Sequence, residues 1–254
     1  QRVLKQAREL GIRLIGPNCM GLYDPRQGIS FSDALPRKPG SAGLISQSGQ
    51  AAEEVMRLAS LRDVHFSKAI SYGNALDFNE ADFLEYLARD PETEIILMYI
   101  EGLRDGRRFL RTLRRAASVK PVLVLKGGKG ESGARAASSH TGSLAGSLKL
   151  WESAIMQAGA VSAANMEELI DLAVSFAFLP PFTGRRVGVT GGAGGASVLA
   201  ADECEQAGLD VVPLPQEFRE ELKSRGISIW DWIGNPADMS IRDDGDFGTG
   251  DVLE

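Results

Sequence analysis

The sequence is short of the residues that usually announce a chemistry. It has 2 histidines and 2 cysteines in 254 residues, and only 7% of it is aromatic. Two thiols, Cys19 and Cys204, cannot build a disulfide framework, so the chain reads as a reduced protein with a cytoplasmic location expected. No apolar run approaches the ~18–20 residues that crossing a bilayer needs, and no membrane is expected as a partner. Basic charge is not in excess either. There are 28 Lys and Arg against 34 Asp and Glu, mixed along the chain to a net −6, which argues against nonspecific binding to nucleic acid. Only a local basic patch stays open. The chain begins "QRVLKQARELG", a helical pattern already under way with no signal or transit peptide, and a stretch cut from something longer is expected.

What is present suffices for a core. Hydrophobic residues make up 43% of the chain, enough for one large or two modest domains. Between Gly40 and Gly184 a unit recurs: short apolar strand, glycine or serine turn, amphipathic helix. "AGLIS" (42–46) leads into "QSGQAAEEVMRLASL", "EIILMYIEG" (94–102) into "RDGRRFLRTLRRAAS", and "KPVLVLKGG" (120–128) into the segment around His140. "SKAISYG" (67–73) is a further strand, followed by "NEADFLEYLARDPE", a helix that Pro91 stops. "SLAGSLKLWESAIMQAG" and "NMEELIDLAVSFAFL" read as two more helices, with "AVSA" (160–163) a short edge strand between them. Short apolar strands alternating with helices predict an α/β fold, a parallel sheet covered on both faces.

"PPFTG" (180–184) is a boundary, because consecutive prolines continue neither helix nor ladder. The pattern then restarts in "RRVGVTGGAGGASVLAADECEQAGLDVVPLP", which reads as strand, glycine loop, helix and strand, the opening of a second α/β unit. "RLIGPNCMGLYDP" (13–25) reads as a strand and glycine loop without a sheet of its own, expected to close an earlier domain.

Three glycine-rich turns follow predicted strands, so nucleotide binding has to be weighed. "GGAGGAS" (191–197) fails the GxGxxG fingerprint, and "GGKGES" (127–132) has Gly130 where a P-loop needs Ser or Thr. "SQSGQAAEEV" (46–55) suits an anion, since such a turn aims backbone N–H groups and the positive end of a helix above the sheet. A plain helix cap at Ser46 or Ser48 fits the same residues. "ARAASSHTGSLAG" (134–146) surrounds His140 with small residues. A neutral imidazole attacks phosphorus well if a carboxylate holds its opposite N–H, donors meet the phosphoryl oxygens and the segment has room to move. Glu101, at the carboxyl end of "ILMYI", is the candidate carboxylate, because ligand sites of open parallel sheets lie along that edge. A loop histidine bonded to serine hydroxyls is the bland alternative. His65, in "RDVHFSKA", has no motif around it and reads as surface or packing.

Taken in order, these motifs resemble the NDP-forming acyl-CoA synthetases, the family of succinyl-CoA synthetase and the ADP-forming acetyl-CoA synthetases. "RLIGPNCMG" resembles the end of that family's CoA-binding domain. "GLISQSGQAAEEV", "DPETEIILMYIEG", "KPVLVLKGG" and "SSHTGSLAG" follow in the family's order and spacing, and "GNPADM" (234–239) resembles a motif of its single-chain, ADP-forming branch. The resemblance implies a flavodoxin-like, doubly wound parallel sheet over 40–180. It places a remnant of a CoA-binding, Rossmann-like domain before it (1–39) and the start of a second α/β three-layer domain after it (184–254). It also implies a reaction. Acyl-CoA and phosphate give an acyl phosphate, its phosphoryl group passes to a histidine on a mobile loop, and ADP or GDP accepts it at an ATP-grasp domain, reversibly. His140 matches the phosphorylated histidine and Glu101 the glutamate that orients it. Ser48, Gly49 and Gln50 fall where a helix N-terminus holds the phosphoryl group, and Asn18 and Cys19 beside the thiol end of CoA. Gly191 and Gly192 fall in a loop that approaches the acyl substrate. The implied substrates are a carboxylic acid, CoA, phosphate and ADP or ATP. The implied partner is an ATP-grasp domain or subunit outside this stretch, which would hold Mg2+; no metal ligands are expected within the stretch.

Two departures bear on the acid. Succinyl-CoA synthetases have a tyrosine that touches succinate where this chain has Glu53, after Ala51 and Ala52, which speaks against succinate. The loop "HTGSLAG" stands where the succinate enzymes have "HAGAIIAG", nearer the acetate-type branch. Two other functions compete with the ligase. One is a ligand-sensing module of a protein acetyltransferase, in which such domains often lose the histidine; the other is an unrelated flavin or nucleotide binder. Retention of His140 and Glu101 favours the ligase. Self-association is left open.

Overall fold

Helix Arg2–Glu9 (α1) and strand Gly21–Tyr23 (β1) precede the first repeat of the pattern. Strands Ala42–Ser46 (β2), Phe66–Ser71 (β3), Ile95–Ile100 (β4), Val122–Lys126 (β5) and Val161–Ala163 (β6) then alternate with helices. These are Gly49–Ser60 (α2), Glu80–Arg89 (α3), Gly106–Ala117 (α4), Leu148–Gln157 (α5) and Met166–Phe178 (α6). The computed structural model describes residues 2–30, 32–133, 148–191, 194–224 and 234–238, and the chain divides into two compact units, 1–180 and 181–254. Among the described residues no helix is long and apolar enough to cross a membrane.

The six strands form one sheet in the order β1-β3-β2-β4-β5-β6. Every neighbouring pair is parallel except β1 and β3. Alternation along β4 explains why its run is apolar throughout rather than every second residue. Ile95 and Leu97 point into a core with Leu44, Leu123, Val55 and Met56 of α2, and Leu169 of α6. Ile96, Met98 and Ile100 point into the opposite core with Phe83 and Leu87 of α3, Phe109 and Leu113 of α4, and Ile155 of α5. Helices cover both faces, so both sets of side chains leave water. The expected doubly wound, flavodoxin-like sheet is the one observed, with an antiparallel strand added at one edge.

The strand order fixes where a ligand can sit. From β2 the chain moves outward through α2 to β3, then crosses back through α3 to β4. Connections therefore leave β2 and β4 in opposite directions, which opens a crevice at their carboxyl ends. Gln47 follows β2 and Glu101 follows β4 at that crevice.

The segment 13–25 differs from its expected form. Residues 12–20 are irregular, and Gly21–Tyr23 joins the first sheet, Leu22 opposite Ile70. The reason is local. Gly16 and Asn18 take φ of 99° and 57°, which no strand tolerates, and the carbonyls of Gly16 and Pro17 accept from Leu76 N at 2.8 Å and Asn74 N at 3.0 Å. Gly73 permits this approach: it has φ +53°, and a Cβ there would stand 2.0 Å from Asn18 O. Asp77 holds the other end. Its side chain is 1% exposed and accepts from Arg13 Nε at 2.7 Å, Leu14 N at 3.1 Å and Arg8 Nη2 at 3.2 Å, while Arg13 also lies over the Phe78 ring.

In the second unit, Arg186–Val187 (β7) pairs in parallel with Asp210–Val211 (β9), and Thr190–Gly191 (β8) with Ala237–Asp238 (β10). Helices Gly194–Gln206 (α7) and Gln216–Ser224 (α8) accompany them among the described residues. Asn235 stitches the two pairs together. Its Nδ2 donates to Val187 O and Val212 O, each at 2.7 Å, and its Oδ1 accepts from Val189 N at 2.8 Å.

Two measurements check this account. Leu97→Ala, in the fully buried centre of β4, should cost about 3 kcal/mol in urea unfolding. The Arg13 guanidinium holds the Asp77 carboxyl well below the usual carboxylate range, with Leu14 N and Arg8 adding to it. A lowered folded value adds stability above the ordinary carboxylate range and loses it as pH falls through that lowered value. Asp77→Asn should therefore lower the urea midpoint at neutral pH and flatten its decline on acidification.

Candidate active site

The turn after β2 is built by two serines. Ser46 Oγ donates to Ser48 O at 2.6 Å and accepts from Ser48 N at 3.3 Å, which bends the chain sharply off the sheet. Ser48 is then the N-cap of α2, its hydroxyl accepting from Ala51 N at 3.3 Å. The amides of Gly49 and Gln50 have no acceptor among the described residues, so two donors and the positive helix end face the crevice. A side chain at 49 would be tight: a Cβ would lie 3.2 Å from the Met20 Cβ and 3.3 Å from Met20 N. Met20 N donates to Ser71 Oγ at 3.1 Å, so the segment carrying Asn18 and Cys19 lies against the start of α2.

Glu101 is held by its backbone. Gln47 Oε1 accepts from Glu101 N at 2.7 Å and Gly102 N at 3.0 Å, and Lys126 Nζ donates to Glu101 O at 2.6 Å. Its carboxylate is treated asymmetrically. Oε1 lies 3.4 Å from the Tyr99 hydroxyl, whereas Oε2 is buried with no hydrogen-bond partner among the described residues. A buried carboxylate oxygen left unpaired is costly, and marks a place built to receive a donor. Burial, opposed by the Glu101 charge, pushes the Lys126 ammonium down. Burial also pushes Cys19 up, so its thiol stays protonated despite the opposing Gly21 amide.

The site residues named from sequence thus fall into three groups. Ser48, Gly49 and Gln50, together with Asn18 and Cys19, gather around the start of α2, and Glu101 stands at the end of the adjoining strand β4. Glu53 is exposed on α2, one turn beyond Gly49. Gly191 lies in β8 of the second unit, while His140 and Gly192 lie outside the described residues. His65 is a packed residue, its side chain 11% exposed and 3.5 Å from Asp63.

Sequence reasoning passed over several residues that shape the place. Gln47 lay unremarked inside "SQSG". Tyr99 could have been found from its spacing, since residues two apart on a strand share a face. Tyr72, fully buried just beyond β3, has a hydroxyl with no partner among the described residues, which burial, then Glu80 and Glu101, hold well above the usual phenol range. Glu80 is 2% exposed, and burial pushes its carboxyl up. Beside Gly102 and Lys126 opens a cavity of about 340 Å³, its walls including Leu103, Phe109, Trp151 and Ile155. Among the described residues no group of three or more His, Cys, Asp or Glu side chains is placed to hold a metal ion.

Comparison with known proteins gives this geometry its relatives. Residues 39–176 match the family described as the succinyl-CoA ligase like flavodoxin domain. The chain is 40% identical over 239 residues to the alpha subunit of ADP-forming acetate–CoA ligase II of Pyrococcus furiosus, covering 94% of this chain and 52% of that one. It is 35% identical to the ADP-forming 4-hydroxybutyrate–CoA ligase of Nitrosopumilus maritimus, covering 97% of this chain and 36% of the relative. Among solved structures, the dinucleotide-forming acetyl-coenzyme A synthetase 1 of Ca. Korarchaeum cryptofilum, in complex with phosphate and ADP, superposes with a TM-score of 0.81. That pair is 31% identical and covers 93% of this chain and 52% of the other. The chain therefore spans about half the length of these relatives or less. With more than half of its residues matching the family's domain and the switch-point sheet that domain is named for, the chain belongs to the succinyl-CoA ligase-like flavodoxin domain family.

Proposed function

We propose that this chain is the phosphoryl-carrying part of an ADP-forming acid–CoA ligase, in which a histidine takes phosphate from an acyl phosphate and gives it to ADP. The observation that carries this reading is the buried, unpaired Oε2 of Glu101 at the β2/β4 crevice, beside the free amides that open α2. An acceptor waiting for an N–H and donors waiting for an anion are the two things a phosphorylated imidazole needs. Relatives named as ADP-forming acetate–CoA and 4-hydroxybutyrate–CoA ligases support the same reaction class.

The roles follow from the chemistry. His140 attacks phosphorus through one imidazole nitrogen, forming an N–P bond as the P–O bond to the acyl carboxylate breaks and the acid leaves with the bonding pair. Positive charge grows on the ring, and Glu101 accepts the opposite N–H and compensates that charge. The amides of Gly49 and Gln50, with Ser48 fixing their direction, stabilise the equatorial oxygens. Asn18 and Cys19 stand beside the CoA thiol; a protonated Cys19 is a neighbour rather than a rival nucleophile. The family resemblance assigns Gly191 and Gly192 to the acyl group, and Glu53 occupies the position that disfavours succinate. In domain terms, residues 1–39 close a CoA-binding domain, 40–180 form the phosphohistidine domain and 184–254 open a second ligase domain.

The nucleotide and its Mg2+ belong to an ATP-grasp domain or subunit. The steps assigned to this chain are carried by its own side chains and amides.

Incubating the full-length enzyme, nucleotide-binding module included, with Mg-ATP should label it with acid-labile phosphate. His140→Ala should abolish the label; persistent labelling would refute the assignment. Ser48→Ala should slow labelling about tenfold by loosening the α2 amides, and should cost about 1 kcal/mol of stability as a lost helix cap. An unchanged rate in that variant would remove α2 from the phosphoryl site.

A further inference from the structure

Tyr99 and Glu101 stand two apart along the end of β4, so their side chains leave the same face of the sheet. With Gln47 and Lys126 fixing the Glu101 backbone, the freedom left to the carboxylate is rotation about its own side-chain bonds. The Tyr99 hydroxyl meets that carboxylate at Oε1, 3.4 Å away, and leaves Oε2 bare.

Gly127, the first residue after β5, shows how closely the pair is seated. A Cβ there would stand 2.5 Å from the Tyr99 hydroxyl oxygen, 2.9 Å from its ring carbon and 3.2 Å from Glu101 Cγ. The place a side chain would take at 127 is filled by the tyrosine and the glutamate together. Burial, and then the Glu101 charge, push Tyr99 up to about 12, so the hydroxyl keeps its proton through the neutral range and can only act as the donor toward a carboxylate.

Other titratable groups act on this spot from neighbouring elements. Tyr72, just beyond β3, feels the charges of Glu101 and of Glu80 at the start of α3. Lys126 faces it from the end of β5, and Lys129 acts on Lys126 in turn. None of these gives Glu101 Oε1 a hydrogen bond among the described residues; Tyr99 does.

We propose that Tyr99 is a positioning residue, its hydroxyl donating to Glu101 Oε1 and so fixing the rotation of the carboxylate that leaves Oε2 as the acceptor of the site. This rests on the reading in which the donor Oε2 receives is an imidazole N–H. It adds to that reading a residue on the same strand and the reason for the glycine at 127. Removing the hydroxyl takes away a donor that favours the charged form of a carboxylate, so activity should be lost at a higher pH on the acid side. A tyrosine that merely filled space would change the height of the rate–pH profile and leave its acid limb in place.

The test uses the full-length enzyme with its nucleotide-binding module and follows the initial rate of acid-labile phosphoenzyme formation from Mg-ATP across the acidic and neutral range. Tyr99→Phe should slow labelling about tenfold and move the acid limb up by about half a pH unit or more. Gly127→Ala, which displaces the hydroxyl without deleting it, should move the limb the same way, and it carries the test if the phenylalanine variant fails to fold. An acid limb that is unshifted or lowered in the folded variants overturns the proposal, whatever happens to the rate. Glu101→Gln separates the two levels. Normal labelling in that variant overturns the role given to Glu101 in the proposed function, and this proposal with it. No labelling there, beside an unshifted Tyr99→Phe profile, overturns the role of Tyr99 alone.

Discussion

The side-chain oxygen of Gln47 accepts the amides of Glu101 and Gly102 across the gap between β2 and β4. Parallel strands run out of ladder partners at their carboxyl ends, and these two amides lie where the sheet can no longer satisfy them. Left buried and unpaired they would each cost on the order of 1–3 kcal/mol. Gln47 removes that cost and in doing so ties the turn that begins α2 to the residue that ends β4. The amides that open α2 and the carboxylate are thereby held in register by one 5%-exposed residue, and the reacting groups proposed for this site depend on that register.

The segment before the sheet is fastened to the same place by different means. Asp77 gathers Arg8, Arg13 and Leu14 N, and Gly73 lets the carbonyl of Asn18 come close enough for residues 16–18 to pair with the loop after β3. Asn18 and Cys19 thus reach the start of α2 through backbone contacts, which depend on φ values and an absent Cβ rather than on large side chains.

The helices and strands were legible because the apolar runs are short, doubly buried and punctuated. "IILMYI" and "VLVLK" sit where β4 and β5 form, and Ser48, Asn79, Asp105 and Asn165 cap the helices that their positions announce. Residues 13–25 misled, because apolar composition alone does not register the positive φ of Gly16 and Asn18, and because β1 finds its partner about 50 residues away. At the site, Glu101 and the serine turn were readable from position relative to strand ends. Gln47 and Tyr72 were not. Their importance comes from which buried atoms they satisfy or leave unsatisfied, a property that appears only when β2, β3 and β4 lie side by side. Asn235 is a similar case: a motif residue whose work is to accept and donate backbone hydrogen bonds between two strand pairs.

The account's central claim is a phosphoryl group on an imidazole nitrogen whose opposite N–H is held by Glu101. Nitrogen–phosphorus correlation NMR on the phosphorylated full-length enzyme with 15N-labelled histidine tests it directly. The account predicts phosphorus coupled to one ring nitrogen of His140, with a hydrogen-bonded proton on the other nitrogen that exchanges faster in Glu101→Gln. Phosphorus coupled to no nitrogen, as on a serine or carboxylate oxygen, would contradict it.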